Sequence, residues 1–206
     1  MYIPDIYRNE NAAEIKKFLY ENSFGILINQ SNSKLCATHI PLELETNSEG
    51  KEILCGHLSK ENPQWKGFLE NDEVLAVFSG PHSYISSSWY DHENVPTWNY
   101  MAVHVYGTLR LLNEQETIES LKKLVDKYEK KQENPIRVED LSEKTMRQAR
   151  GIVAFEIEIT SIQAKKKLSQ NRDDKNYKSI ITHLENSESS NEKLIAKEML
   201  KNRTNL

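Results

Sequence analysis

Four stretches of the sequence gather side chains able to hold an anion or a flat ring. The first, Ala37-Thr38-His39-Ile40-Pro41-Leu42, offers a hydroxyl and an imidazole in mid-strand, and its proline marks an edge or an interrupted ladder. Thr38 and His39 suit phosphate or ring oxygens; the competing reading is a structural histidine beside a strand irregularity. The second, Gly56-His57-Leu58-Ser59-Lys60-Glu61-Asn62-Pro63, leaves a strand and enters a helix. Unpaired N–H groups, the Ser59 hydroxyl and Lys60 make an anion site there, or a plain cap with a solvated lysine. The third runs from Ser79 to Tyr90 and resumes at Val95–Tyr100, and it holds Trp89 and Trp98 among many hydroxyls. Aromatics packed in a loop imply a subunit interface or a ring pocket, against an ordered loop that covers the core. The fourth, Lys165-Lys166-Lys167-Leu168-Ser169-Gln170-Asn171-Arg172, is an anion site or a solvated basic linker.

Acid–base chemistry has one candidate pair, His104 and Arg110 on one face of a strand, at a spacing that is common. A haem would need an axial ligand, for which His57, His82 and His104 are available. Cys36 and Cys55 stand apart, without ligand spacing, and read as reduced thiols; no metal site is expected.

These segments must be positioned by a small set of elements. A helix is expected at about residues 11–22, where Ile15, Phe18 and Leu19 share a face. Strands are expected at Gly25–Gln30, Leu35–Leu44, Lys51–His57 and Glu73–Ser79, with a short helix from Pro63 to about Leu69. Ala102–Leu112 alternates, Val103, Val105, Leu109 and Leu111 facing one way. Asn113 with Glu116 starts a helix that runs to about Lys131. A short helix follows Ser142, the strand Ile152–Ile159 alternates, and a basic segment and one or two helices complete the chain. Six short strands with few helices among the first four imply an antiparallel barrel. With 7 glycines and no Gly-rich phosphate loop, a nucleotide phosphate would have to be held by side chains and a helix start.

The 206 residues suffice for one core plus an appendage. Hydrophobic residues at 37% and charged residues at 28% exclude a disordered chain, and no stretch reaches the roughly 20 apolar residues of a membrane span. The opening residues lack a signal pattern, so a cytoplasmic location is expected. Residues 161–206 hold 10 Lys and Arg against 6 Asp and Glu, leaving the rest with 17 against 25. A basic tail on an acidic body is a poor footprint for a chain that must grip DNA by itself.

The four stretches together resemble the PaiB-type family of FMN-binding split-barrel proteins. The sequence carries ATHIPL (37–42), GHLSKENPQW (56–65), GPHSYISSSWY (80–90) with VPTWNY (95–100), and KKLSQNR (166–172), in that order. It departs from the family pattern at Ser87, where a proline is frequent, and in a short segment between Tyr90 and Val95. The resemblance implies an α+β, mostly β fold: an FMN-binding split β-barrel over residues 1–160 with flanking helices. Residues 161–206 would form a basic segment and C-terminal helical extension.

The resemblance also implies FMN as cofactor and a homodimer. By likeness to related split barrels such as the pyridoxamine-phosphate oxidases, Thr38, His39, Ser59 and Lys60 are expected near the phosphate and ribityl chain, with His57 close by. Tyr84, Ser86, Ser88, Trp89, Trp98 and Asn99 are expected at the ring edge or subunit contact. The implied function is negative regulation of sporulation and protease genes. No helix-turn-helix is evident, so that regulation is expected to be indirect, through a partner protein or a weak DNA contact by Lys165, Lys166, Lys167 and Arg172. The alternative is a small flavin-dependent oxidoreductase.

Overall fold

A computed structural model of the chain describes residues 1–69 and 73–203. Its strands are β1 (Phe24–Ser31), β2 (Lys34–Pro41), β3 (Glu43–Thr46), β4 (Glu52–Ser59), β5 (Glu73–Ile85), β6 (Thr97–Leu111) and β7 (Ile152–Lys167). They form one sheet in the order β2-β1-β5-β6-β7-β4-β3. β1 pairs antiparallel with β2 and β5, and β4 pairs antiparallel with β3 and β7. The helices are α1 (Ala12–Glu21), α2 (Glu114–Glu129), α3 (Glu143–Met146), α4 (Asp174–Glu185) and α5 (Ser190–Asn202), with a 3-10 segment at Pro63–Leu69.

The chain divides into two compact units, and neither is a continuous stretch. One comprises Leu19–Phe78 and Val105–Ile162; the other comprises Met1–Phe18, Ser79–His104 and Gln163–Leu206. In the first, Asn32 and Ser33 both take positive φ and close the tight β1–β2 hairpin, the geometry that matches strand twist. The single strand expected over Leu35–Leu44 is two. Pro41 brings no N–H to a ladder, and the Leu42 N–H donates to the Ser23 carbonyl at 2.8 Å. The chain therefore leaves β1 at that point and pairs next with β4. Because β2 and β3 are the two edges of the strand order and Leu42 alone joins them, this step brings the edges together. Gly56 sits where they meet: a Cβ there would lie 2.9 Å from Leu42 and 3.0 Å from the Phe155 ring. The core of this unit includes Leu19, Leu27, Leu42, Leu54, Phe78, Phe155 and Ile157, all fully buried. The α2 capping box expected from Asn113 and Glu116 is present in both directions.

The second unit has its own core, in which Ile85, Tyr90 and Leu168 pack with Tyr177, Ile180, Leu184, Ile195 and Met199 of α4 and α5. The Tyr177 hydroxyl donates to the Met199 carbonyl at 2.8 Å. Three expectations change in this unit, the first being that residues 97–100, read as loop, begin β6. Residues 80–85, read as loop from Gly80-Pro81, continue β5, and the inward side passes from Val74, Ala76 and Phe78 to Ser83 and Ile85, so the alternation changes phase across Gly80-Pro81. The basic run Lys165–Lys167, read as linker, is the end of β7.

Candidate functional site

The candidate residues fall into two groups, one in each unit. In the first, β4 ends at Ser59 and the chain turns through Lys60 and Asn62 into the 3-10 segment. The Ser59 hydroxyl accepts from the Glu61 N–H at 3.2 Å, the Asn62 N–H donates to the Ser59 carbonyl at 3.0 Å, and Asn62 Oδ1 caps the Gln64 N–H at 3.0 Å. Asn62 Nδ2 also donates to the Thr38 hydroxyl at 2.9 Å, and that hydroxyl donates in turn to Gln64 Oε1. Gln64 is buried, and its amide reaches the Leu27 carbonyl and Asn29 Oδ1, both at 3.0 Å. Thr38 and the Ser59–Lys60 turn are thus joined through Asn62 in one hydrogen-bonded unit.

His39 is exposed and stacks on Phe24 at 6.4 Å. His57 lies in β4 opposite Ala154, and burial lowers its pKa, so its imidazole is neutral at pH 7 and can serve an anion only as a hydrogen-bond donor. Lys60 is exposed at a cavity of about 800 Å³ whose walls include Leu112, Ile118, Met146, Ile152 and Val153. Arg147 and Arg150 line the same cavity, as does Asn113 at the start of α2. Among the described residues Lys60, Arg147 and Arg150 form no ion pair. Glu114 and Glu143 line it too, so three cations face two carboxylates; with an apolar floor and a volume typical of small-molecule sites, the cavity suits a phosphorylated ring compound. Sequence reading missed both arginines: α3 and the residues after it bring them to Lys60 across some 90 positions, and no local pattern marks that approach.

In the second group, Tyr84 and Trp98 meet edge-to-face at 6.0 Å and are 45% and 52% exposed, with His82 6.2 Å from Trp98. The Ser86 hydroxyl accepts from the Ser88 N–H at 3.2 Å and lies 2.8 Å from the Ser88 hydroxyl, fixing the turn that carries Trp89. Trp89 stacks flat on His183 at 5.0 Å. Asn99 is fully buried, donating to the Ser169 hydroxyl at 3.0 Å and accepting from it at 3.1 Å. Its amide holds the turn after β7.

Arg110 is held by Glu116 through two nitrogens and by Glu156, each at 3.0 Å. It lies in the unit of β4, whereas His104 lies in the other. His104 has a buried Nδ1 without a partner among the described residues and a pKa lowered by burial and by the positive N-terminus. Cys55 is buried, which pushes its thiol up to about 12 and makes it a poor nucleophile.

Comparison with known proteins bears on the family and the fold. Residues 1–161 match the family described as "Putative FMN-binding domain". The chain is 45% identical over 200 residues to the protease synthase and sporulation protein PAI 2 of Bacillus subtilis, covering 97% of this chain and 96% of that protein. Among solved structures, the FAD and heme binding protein of Mycobacterium smegmatis matches with a TM-score of 0.61 at 13% identity, covering 78% of this chain and 73% of that one. The flavocytochrome Anf3 of Azotobacter vinelandii matches with 0.58 at 17% identity, covering 80% and 72%. At such identity these structures speak for the fold alone, a split β-barrel with flanking helices. By its family match and its near full-length likeness to PAI 2, the chain belongs to the PaiB-type family of FMN-binding split-barrel proteins.

Proposed function

We propose that this chain is a cytoplasmic FMN-binding homodimer that acts as a negative regulator of sporulation and protease genes, and that it acts indirectly. The observation that carries the regulatory reading is the 45% identity to PAI 2 over nearly the whole of both chains. Family membership and the cation-lined cavity at Lys60 support FMN. Lys60, Arg147, Arg150 and the Ser59 turn would hold its phosphate, and Thr38, His39 and His57 would flank its ribityl chain. Tyr84, Ser86, Ser88, Trp89 and Trp98 are assigned to the ring edge or the subunit contact, whereas Asn99, expected there too, is fully buried and bonded to Ser169 and is left to hold the turn after β7. Bound FMN supplies a ring that accepts or donates electrons; the chain's own residues bind and orient it. Among the described residues no helix is long and apolar enough to cross a membrane.

Charge and burial support indirect action. The net charge is −4. Of the four cations in the 165–172 segment, Lys165 is buried and Lys166, Lys167 and Arg172 are half-buried, so none stands out to meet a duplex. Purified protein is expected to bind its own upstream DNA no tighter than about the micromolar non-specific range at physiological salt. Whatever binding remains is expected to fall in a variant with Lys165, Lys166, Lys167 and Arg172 all replaced by alanine. Fluorescence anisotropy with and without FMN measures this, and nanomolar, sequence-selective binding without a partner would overturn indirect action.

The exposed Tyr84 and Trp98 support self-association, because an isologous interface covers such aromatics on both copies at once. Light scattering at micromolar protein is expected to give the dimer mass. A monomer mass independent of concentration would sink the dimer and leave the aromatic patch without an occupant.

A further inference from the structure

The strand period sorts the basic run at the end of β7. Lys166 points to one side, where its ammonium meets Glu14 at 2.9 Å. Lys165 and Lys167 point to the other. Lys165 is 9% exposed, yet among the described residues its ammonium has only the Tyr2 carbonyl at 3.2 Å and the faces of Tyr2 and Tyr100 at 5.8 and 5.1 Å. Lys167 donates to the Thr97 hydroxyl. The Arg172 guanidinium lies 5.0 Å over the Tyr90 ring and makes no hydrogen bond among the described residues. The Tyr90 hydroxyl is itself buried without a partner among the described residues.

Among the described residues none of these three cations has a carboxylate in ion-pair range. Lys165 and Arg172 are both near enough to oppose the charge on Lys167, whose pKa is lowered first by burial and then by these neighbours. Buried cations are ordinarily neutralised by a partner, and an uncompensated group of three is costly. The segment is nonetheless fixed in this form. Ser169 takes a left-handed φ of 59° and is held by Asn99, while Arg203 donates to the carbonyls of Gln170 and Arg172. Lys165 and Lys167 each use one of three ammonium donors on the protein, which leaves several N–H groups for an incoming acceptor.

We propose that Lys165, Lys167 and Arg172, with the Thr97 hydroxyl, form a second anion site that binds the oxyanion group of a small molecule, a phosphate monoester or a carboxylate. The site is separate from the Lys60 cavity and does not depend on it. Its buried and half-buried cations suit a compact anion, and they do not suit the rigid phosphate ladder of a duplex.

The test uses FMN-loaded protein in phosphate-free buffer, titrated calorimetrically with inorganic phosphate. Saturable binding is expected, weakened about tenfold or more in Lys167→Met and in Arg172→Gln, the scale of one charged hydrogen bond. Lys166→Ala, on the opposite side of the strand, is expected to bind phosphate as the parent does. Flavin absorbance and thermal melting of each variant separate a lost site from a lost fold or cofactor, and Arg172→Gln, altered at a half-buried position, serves should Lys167→Met fail to fold. Absence of saturable binding up to about 10 mM phosphate, well above a millimolar Kd, overturns the proposal. Unchanged affinity in both variants overturns it too. Loss of FMN together with phosphate would assign the three cations to the flavin's own site and overturn the claim of a second one.

Discussion

Replacing Lys60 with alanine is expected to weaken FMN binding by about 1–3 kcal/mol, the scale of a hydrogen bond to a charged group. Lys60 carries a compact charge at the mouth of the 800 Å³ cavity, immediately after the Ser59 turn, and among the described residues no carboxylate neutralises it. Arg147 and Arg150 line the same cavity, so each alanine variant there is expected to lose binding as well. Because all three would act on one phosphate, their losses need not add, and the triple variant measures the coupling. Lys60→Arg keeps the charge and is expected to retain more affinity than Lys60→Ala. Raising ionic strength is expected to narrow the difference between parent and variants, since exposed charges are screened. Flavin fluorescence quenching on titration gives the dissociation constants. Equal FMN affinity in the parent and in Lys60→Ala would remove the phosphate from this turn.

Phe155→Ala is expected to cost about 3–5 kcal/mol of stability, among the largest effects of a single core truncation. Phe155 is fully buried in β7, packs edge-to-face on Phe68 at 5.7 Å, and lies against the bare Cα of Gly56. Phe68 belongs to the 3-10 segment that begins just after Lys60, so the hole would open beneath the element that frames the turn. A fall in stability of that size is a large fraction of the total for an ordinary domain. Denaturant unfolding followed by circular dichroism checks it, and a loss below about 1 kcal/mol would mean that the surrounding strands close the cavity by repacking.

What the sequence determined by itself is local. The period of two in Val103, Val105, Leu109 and Leu111 set β6 facing inward, and Asn113 with Glu116 set the start of α2, because strand alternation and capping depend on neighbours a few residues away. The four motifs carried the family, and with it the fold and FMN. Tertiary structure decided the rest, for physical reasons that lie outside any window of sequence. Pro41 reads as an interruption, but that it sends the chain from one edge of the sheet to the other depends on where Ser23 waits for the Leu42 N–H. Gly80-Pro81 reads as a turn, yet the strand continues to Ile85, which packs into a core built from α4 and α5. Arg147 and Arg150 have no local mark; they join Lys60 only because the chain folds them onto one cavity. The basic run reads as a solvated linker until β7 extends through it and splits its lysines, setting Lys166 against Glu14 and leaving Lys165 and Lys167 with no carboxylate to meet among the described residues. Spacing along the chain tells which side chains share a face, and only packing tells what that face meets.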